Sequence, residues 1–356
     1  MSASVAGIRV RSIVSRLEMR EPELEERLFR DLERVESRLL ACVAESGDPY
    51  LVEIVGHLVG SGGKRMRPLL ALLGGEFGER AGPGTEGARD GVVEAGVVAE
   101  LVHLASLYHD DVMDRATIRH GVPSVNARWG NGVAVMAGNW LIARATRLSA
   151  ELGPEAVPLQ ATGSDRLVRG QMAELIGPAP GEDRLAHYVR VASDKSAALF
   201  SLALRLGAVQ GGASEETGRA LEEYGTQLGI AFQMTDDLLD VTAPAEASGK
   251  EQGKDLAVGV ASLPVLLALS GSAEGPAGSG RAEADELRAL LEAAPTDPAA
   301  REKALGLLRT SSAMERAREL RDERLGLARS ALEALPDVPA RRALLALCAF
   351  VAVRTG

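Results

Sequence analysis

Ala, Leu, Arg and Glu recur at three- and four-residue spacing along most of this 356-residue chain, and runs in which β-branched residues alternate with polar ones are scarce. That periodicity commits the chain to helices, because apolar side chains three and four positions apart share one helical face, whereas a strand would divide them between two. Leu24, Leu28, Leu32, Val35 and Leu39 form one such stripe behind the helix-opening pair Pro22 and Glu23. Gly- and Pro-rich breaks at 60–68, 80–91, 119–124, 176–183, 243–255 and 270–284 separate the helical stretches, the last resembling a flexible surface insertion. No linker divides them. The expected fold class is all-α, a single-domain bundle over residues 23–356 preceded by a flexible N-terminal tail, 1–22.

The net charge is -10, so no basic field covers the molecule and nucleic-acid binding has no electrostatic support. Any anionic ligand must be met locally. Cys42 and Cys348 are far apart, lack metal-ligand spacing and sit among apolar residues, which predicts buried free thiols and a reducing, cytoplasmic setting. Apolar runs such as Ala343 to Val353 are too short to span a bilayer, so no transmembrane segment is expected. Arg9, Arg11, Arg16 and Arg20 give the tail a faint transit-peptide flavour, without an apolar signal core or cleavage site.

The motif DDxxD occurs twice, as Asp110, Asp111 and Asp114 and again as Asp236, Asp237 and Asp240, each after an apolar helical stretch. On a helix, positions four apart share a face, so each copy projects carboxylates from one patch, where they repel unless a cation sits among them. Mg2+ suits such a patch. It is held by one or two carboxylates and fills its remaining positions with water and substrate phosphate, so the aspartates imply a metal and the metal implies a phosphate. Neither copy continues with the Gly and Glu of an EF-hand loop. A basic Gly-rich turn, GGKRMRP, supplies Lys64, Arg65 and Arg67 where glycines let the backbone bend, and Pro68 suits a first helical turn. It is not the P-loop GxxxxGK[ST]. Arg119, His120 and Lys250 border the two acidic patches, and His103 lies about two turns before Asp110 on the same face.

Together GGKRMRP, HLASLYHDDVMD, IRHGVPSVN, GQMAE, FQMTDDLLD and GKEQGKDL resemble, in order and spacing over roughly residues 50 to 270, the trans-isoprenyl diphosphate synthases, the polyprenyl synthetase family. The resemblance implies antiparallel helices around a deep central cavity, with the acidic motifs facing each other across its mouth. It implies Asp110, Asp114 and Asp236 as the foremost Mg2+ ligands, Asp240 and Glu174 as further ones, and Asp111 and Asp237 in support. Arg119, Lys195 and Lys250 would hold the allylic diphosphate, and Lys64, Arg67 and His103 the isopentenyl diphosphate. The Gln233 side chain, the Ser196 hydroxyl and the Lys195 carbonyl would turn negative dipole ends toward a carbocation. A homodimer is implied by the family alone.

The implied chemistry is ionisation of the allylic diphosphate, attack of isopentenyl diphosphate on the cation, and loss of a proton to the departing pyrophosphate, with no protein nucleophile. Product length in this family depends on the residues five and four before the first motif. Here these are Ala105 and Ser106, both small, which leaves a tunnel open by roughly 5 Å per further isoprene unit and points to a medium- or long-chain product; a C20 synthase is the alternative. His120 stands where many relatives carry Arg, Asn139 where an Asp is common and Ser196 where a Thr is common. A class I terpene cyclase carries one DDxxD, so the twin motif disfavours it. A catalytically silent partner subunit is disfavoured because both acidic sets are present.

Overall fold

A computed structural model describes residues 14–17, 19–79, 86–242, 252–259, 261–270 and 279–354. The chain runs through α1 (Pro22–Ala44), α2 (Pro49–Gly60), α3 (Met66–Gly75) and α4 (Glu86–Met113), then a hairpin of β1 (Ile118–Arg119) and β2 (Val122–Pro123). Next come α5 (Val125–Trp129), α6 (Asn131–Leu152), α7 (Ala156–Ile176) and α8 (Arg184–Val191), which passes through a π-helical turn, Ala192–Ala197, into α9 (Ala198–Gly211). The rest is α10 (Glu215–Thr242), α11 (Lys254–Val258), α12 (Leu263–Ser270), α13 (Ser279–Ala293), α14 (Pro298–Thr310), α15 (Ser312–Ala331) and α16 (Pro339–Val353). The all-α expectation holds, with the hairpin the only sheet among the described residues.

The predicted stripe of α1 is entirely buried, from Leu24 to Leu39. At the centre lies α4, packed against α1, α3, α6 and α9. Because neighbours surround it, apolar residues occupy every side: Val97, Val98, Ala99, Leu101, Val102, Leu104, Ala105 and Tyr108 are all fully buried. By length and composition this one helix could cross a membrane, and 78% of its apolar window is instead inside the fold. Where α9 meets α3, a Cβ on Gly207 would come 1.9 Å from the Ala71 carbonyl oxygen, so the two backbones touch and only Gly fits. A second apolar cluster joins the C-terminal half of α10 to α12 through α15.

Two expectations about flexible stretches are shortened. Val14, Leu17 and Met19 fall in the region expected to be a tail, yet they are buried, since apolar side chains adjoining a core gain by joining it. The Gly-rich insertion is helical from Ser279 onward. The break at 119–124 is a hairpin in which Ile118 pairs with Pro123 and Arg119 with Val122. His120 and Gly121 form its turn, both at positive φ, as a two-residue hairpin loop requires.

Candidate active site

The first acidic motif sits at the C-terminal end of α4. Asp110 lies on the same face as Ser106, one turn earlier, and is partly buried. Burial pushes it up to about 6, against the pull of Lys195. Asp111 is almost fully buried and accepts a hydrogen bond of 2.8 Å from Arg119 Nε. Its other oxygen, Oδ2, is buried with no hydrogen-bond partner. Asp114 lies just past the helix end, exposed.

The second motif lies near the end of α10. Asp236 pairs with Arg354 at 2.7 Å, and the Arg354 guanidinium also lies 4.7 Å from the centre of the Phe232 ring, one turn back on α10. Asp237 is buried and accepts from Tyr188 Oη at 2.8 Å, Leu263 N at 2.9 Å and Gln233 Nε2 at 2.9 Å. Burial pushes it to about 6, and burial beside this carboxyl raises Tyr188 well above its ordinary value. Asp240 accepts from the backbone N of Lys254 and of Asp255, at 3.1 and 3.2 Å. The acidic residue of GQMAE, Glu174, is paired with Lys195.

Charged side chains connect the surroundings of the two motifs. Lys254, beside Asp240, is close enough to Asp111 for its charge to oppose the effect of burial there. Arg67 feels both Glu100 and Asp236, although burial lowers it to about 10, and its Nε is buried without a partner. Beneath, Phe200 and Phe232 meet at 5.4 Å, flanked by the guanidiniums of Arg67, 5.5 Å from the Phe200 ring centre, and Arg354. Burial, with Arg67 and His120 nearby, holds His103 well below its usual value, so it is neutral near pH 7.

Lys195 and Ser196 occupy the π-helical turn, whose i→i+5 winding pushes out residues that an α-helix would direct elsewhere. α7 presses directly on this turn: a Cβ on Gly170 would lie 2.4 Å from the Lys195 backbone nitrogen. Arg166 of α7 also binds Asp194 at 3.1 Å and the Ser193 carbonyl at 3.1 Å. The turn that displays Lys195 is thereby held from one side.

Several expected roles change. Arg65 is not a free cradle residue: it is 3% exposed and its guanidinium is committed to Glu36, to Glu100 at 2.8 Å and to the Val59 carbonyl at 3.0 Å. Gln233 Oε1 accepts from Ser196 Oγ at 2.7 Å, so those two dipoles are turned toward each other and toward Asp237. Ala105 has no water-sized space beside it, whereas Ser106 is partly open. Lys64 and His120 are at the rim, His120 near Ser61. Lys250 lies outside the described residues. Lys254, Tyr188, Asn126 and Arg354 adjoin the motifs without having been singled out; Lys254 lay in the GKEQGKD run and Asn126 closes IRHGVPSVN, but Tyr188 and Arg354 reach the second motif from distant points in the chain.

The donors suit a hard divalent cation. All are carboxylate oxygens, Asp111 Oδ2 is buried and unsatisfied, and burial opposes the ionisation of Asp110 and Asp111, a cost that a cation offsets. Among the described residues no three His, Cys, Asp or Glu side chains form a ready cage. The raised values of about 6 for Asp110 and Asp237 and about 7 for Asp255 mean that these groups hold more protons in the native chain than in the unfolded one from about pH 4 to 7, so they favour folding on acidification and disfavour it as pH rises. Cation binding needs the ionised forms and runs the opposite way. Mg2+ is therefore expected to raise the melting temperature more at about pH 7.5 than at about pH 5.5. Using the metal-induced difference cancels His103, whose depressed value acts in the other direction. Equal increments at both pH values would contradict the assignment.

The fold is a helical bundle with two acidic motifs at the C-terminal ends of α4 and α10, each with Lys or Arg nearby. The family model for polyprenyl synthetase matches residues 48–308. A nonaprenyl diphosphate synthase of Mycobacterium tuberculosis is 42% identical over 323 residues, 91% of this chain and 92% of that one. Among solved structures, a polyprenyl synthase of Caulobacter crescentus complexed with calcium and isoprenyl diphosphate has a TM-score of 0.82 at 29% identity, covering 96% of this chain and 98% of that one. A geranylgeranyl pyrophosphate synthase of Corynebacterium glutamicum, also complexed with calcium and isoprenyl diphosphate, has a TM-score of 0.80 at 37% identity, covering 94% and 98%. The chain belongs to the polyprenyl synthetase family. It is a trans-prenyltransferase.

Proposed function

We propose that the chain condenses isopentenyl diphosphate with an allylic diphosphate to make a medium- or long-chain all-trans polyprenyl diphosphate, with Mg2+ as its metal and the cytoplasm as its location. The single observation that supports this reading is the set of charges around the two motifs: Lys195 acts on Asp110, Lys254 next to Asp240 acts on Asp111, and Asp236 acts on Arg67. Bound Mg2+ supplies Lewis-acid charge that draws electrons onto the diphosphate leaving group. Asp110, Asp114 and Asp236 would hold it; Asp237 and Asp240 instead fix the helix and loop around it. Arg119, Lys195 and Lys254 neutralise the allylic diphosphate, and Arg67 with Lys64 and neutral His103 receives that of isopentenyl diphosphate. The aromatic pair Phe200 and Phe232 keeps the floor dry, which protects an allylic cation from water.

Small Ser106 on the Asp110 face favours a chain that grows past the motif, in keeping with the nonaprenyl synthase among its relatives. Ser106→Phe is expected to shorten the product by one or more isoprene units, roughly one per helical turn of blocked depth. Ala105→Phe is expected mainly to destabilise, by about 1–3 kcal/mol, because that position is already filled. Chromatography of dephosphorylated products tests both; a Ser106→Phe product of wild-type length would remove Ser106 as a length determinant.

The likeness to C20 synthases keeps geranylgeranyl diphosphate as the alternative product, and the same assay separates the two. We further propose a homodimer formed through α7. Val168, Met172, Leu175 and Ile176 make an exposed apolar stripe there, 54–77% accessible, joined by Met136 of α6 at 65%. Val168→Glu is expected to halve the sedimenting mass at micromolar concentration; a wild-type monomer would rule the dimer out.

A further inference from the structure

The helix that bears the first acidic motif ends in a particular way. Ala116 N donates to the Asp111 carbonyl at 2.9 Å and Arg115 N to the Val112 carbonyl at 3.4 Å, with Arg115 at φ 52°. This is a Schellman cap in which Asp111 supplies the third carbonyl from the end, Asp114 is the cap residue, and Arg115 takes the left-handed position that Gly ordinarily fills. A cap built on Arg is less favourable on its own account than one built on Gly, so something outside the helix must hold it.

That something is Asn126, on the short helix α5. Its Nδ2 donates to the Asp111 carbonyl at 3.1 Å and to the Ala116 carbonyl at 3.0 Å, bridging the two ends of the cap. The neighbouring Ser124 Oγ donates to the Ala116 carbonyl alone, at 2.6 Å, and does not reach Asp111. The two side chains thus hold the same turn, but only Asn126 touches the acidic motif. His57 Nε2, 2.7 Å from the Pro123 carbonyl, secures the hairpin that leads into α5.

We propose that Asn126 is a positioning residue for the divalent-metal site: by fixing the carbonyls of Asp111 and Ala116 it sets the helix end from which Asp110 and Asp114 reach the cation. The inference rests on the metal reading above. It separates Asn126 from residues that merely stabilise the bundle, because losing the bridge lets Asp114 swing with the cap while the core stays packed.

The test is a Mn2+ binding isotherm on the full chain without substrate, read by the free-ion signal, beside thermal melts. Asn126→Ala is expected to weaken Mn2+ binding roughly 10-fold, the low end of the range for altering a partner that orients a metal ligand. Asn126→Asp, which sets a carboxylate against two carbonyls, is expected to weaken it further. Ser124→Ala is expected to lower the melting temperature while binding Mn2+ like the wild type. If Asn126→Ala folds poorly, Asn126→Ser, which keeps one donor, is expected to show the same shift reduced in size. An Asn126→Ala isotherm matching the wild type, or one shifted no more than that of Ser124→Ala, would overturn the proposal. A wild-type chain that takes up no Mn2+ would instead overturn the metal reading on which it rests.

Discussion

Asp236→Asn is expected to lower turnover on the order of 10³-fold, about 4 kcal/mol in the barrier, while leaving the fold intact. The reason lies in what Asp236 does and does not touch. Its side chain is 41% exposed and pairs with Arg354, whose guanidinium also rests over the Phe232 ring and can still donate to the oxygen of an Asn. An Asn there removes one negative charge and one hard oxygen donor from the cleft, both of which matter only when a cation and a diphosphate are present. Asp110→Asn is expected to act alike.

Asp237 makes the informative contrast. It accepts from Tyr188, Gln233 and the Leu263 backbone, so in Asp237→Asn an amide donor must face at least one of those donors. That variant is expected to lose melting temperature as well as activity. Steady-state turnover at saturating metal, beside circular-dichroism melts, distinguishes the pair. An Asp236→Asn enzyme within tenfold of wild-type turnover would contradict the assignment of Asp236.

Arg65→Ala is expected to cost about 3–5 kcal/mol of folding stability, because removing the buried guanidinium strands the two carboxylates paired with it. Glu100 is 3% exposed, and Glu36 and the Val59 carbonyl complete the set of acceptors. Burial alone would lower the basicity of Arg65, but Glu100 and Glu36 outweigh it and raise it. The residue also stands at φ 49° ahead of α3, so the ion group fixes the left-handed turn that carries Lys64 and Arg67 into the cleft. Arg65→Lys is expected to recover only part of the loss, since an ammonium lacks the planar fork that meets several acceptors at once. Arg67→Ala, two residues on, is expected to raise the Michaelis constant for isopentenyl diphosphate with a far smaller stability loss. Urea denaturation decides: an Arg65→Ala midpoint close to wild type would show that the buried ion group is not what holds the turn.

These two residues illustrate what the sequence could and could not disclose. Helices were legible wherever one face carries the signal, as in α1, whose five-residue stripe is buried as the spacing requires. The acidic motifs were legible because their chemistry is local: three carboxylates within five positions already imply a cation. Arg65 was misread because its acceptors are 29 and 35 residues away, and a basic turn looks the same whether its guanidiniums face substrate or a buried glutamate. Arg354 and Tyr188 meet the second motif from the far end of the chain and from α8, contacts that no spacing records. The π-helical turn under Lys195 and Ser196 has no residue pattern of its own; it arises where α7 presses against the chain at Gly170. The hairpin carrying Arg119 was read only as a break, since Gly and Pro mark a turn without giving its partner strands.

The central claim is that the two acidic motifs act on one diphosphate through shared divalent cations. Its most direct test is a crystal structure with Mn2+ and an unreactive allylic thiolodiphosphate, read by anomalous scattering. Peaks joining the diphosphate both to Asp110 or Asp114 and to Asp236, with Arg354 drawn off Asp236, are the predicted result. Peaks confined to one motif, or a diphosphate held with Asp236 still paired to Arg354, would contradict it.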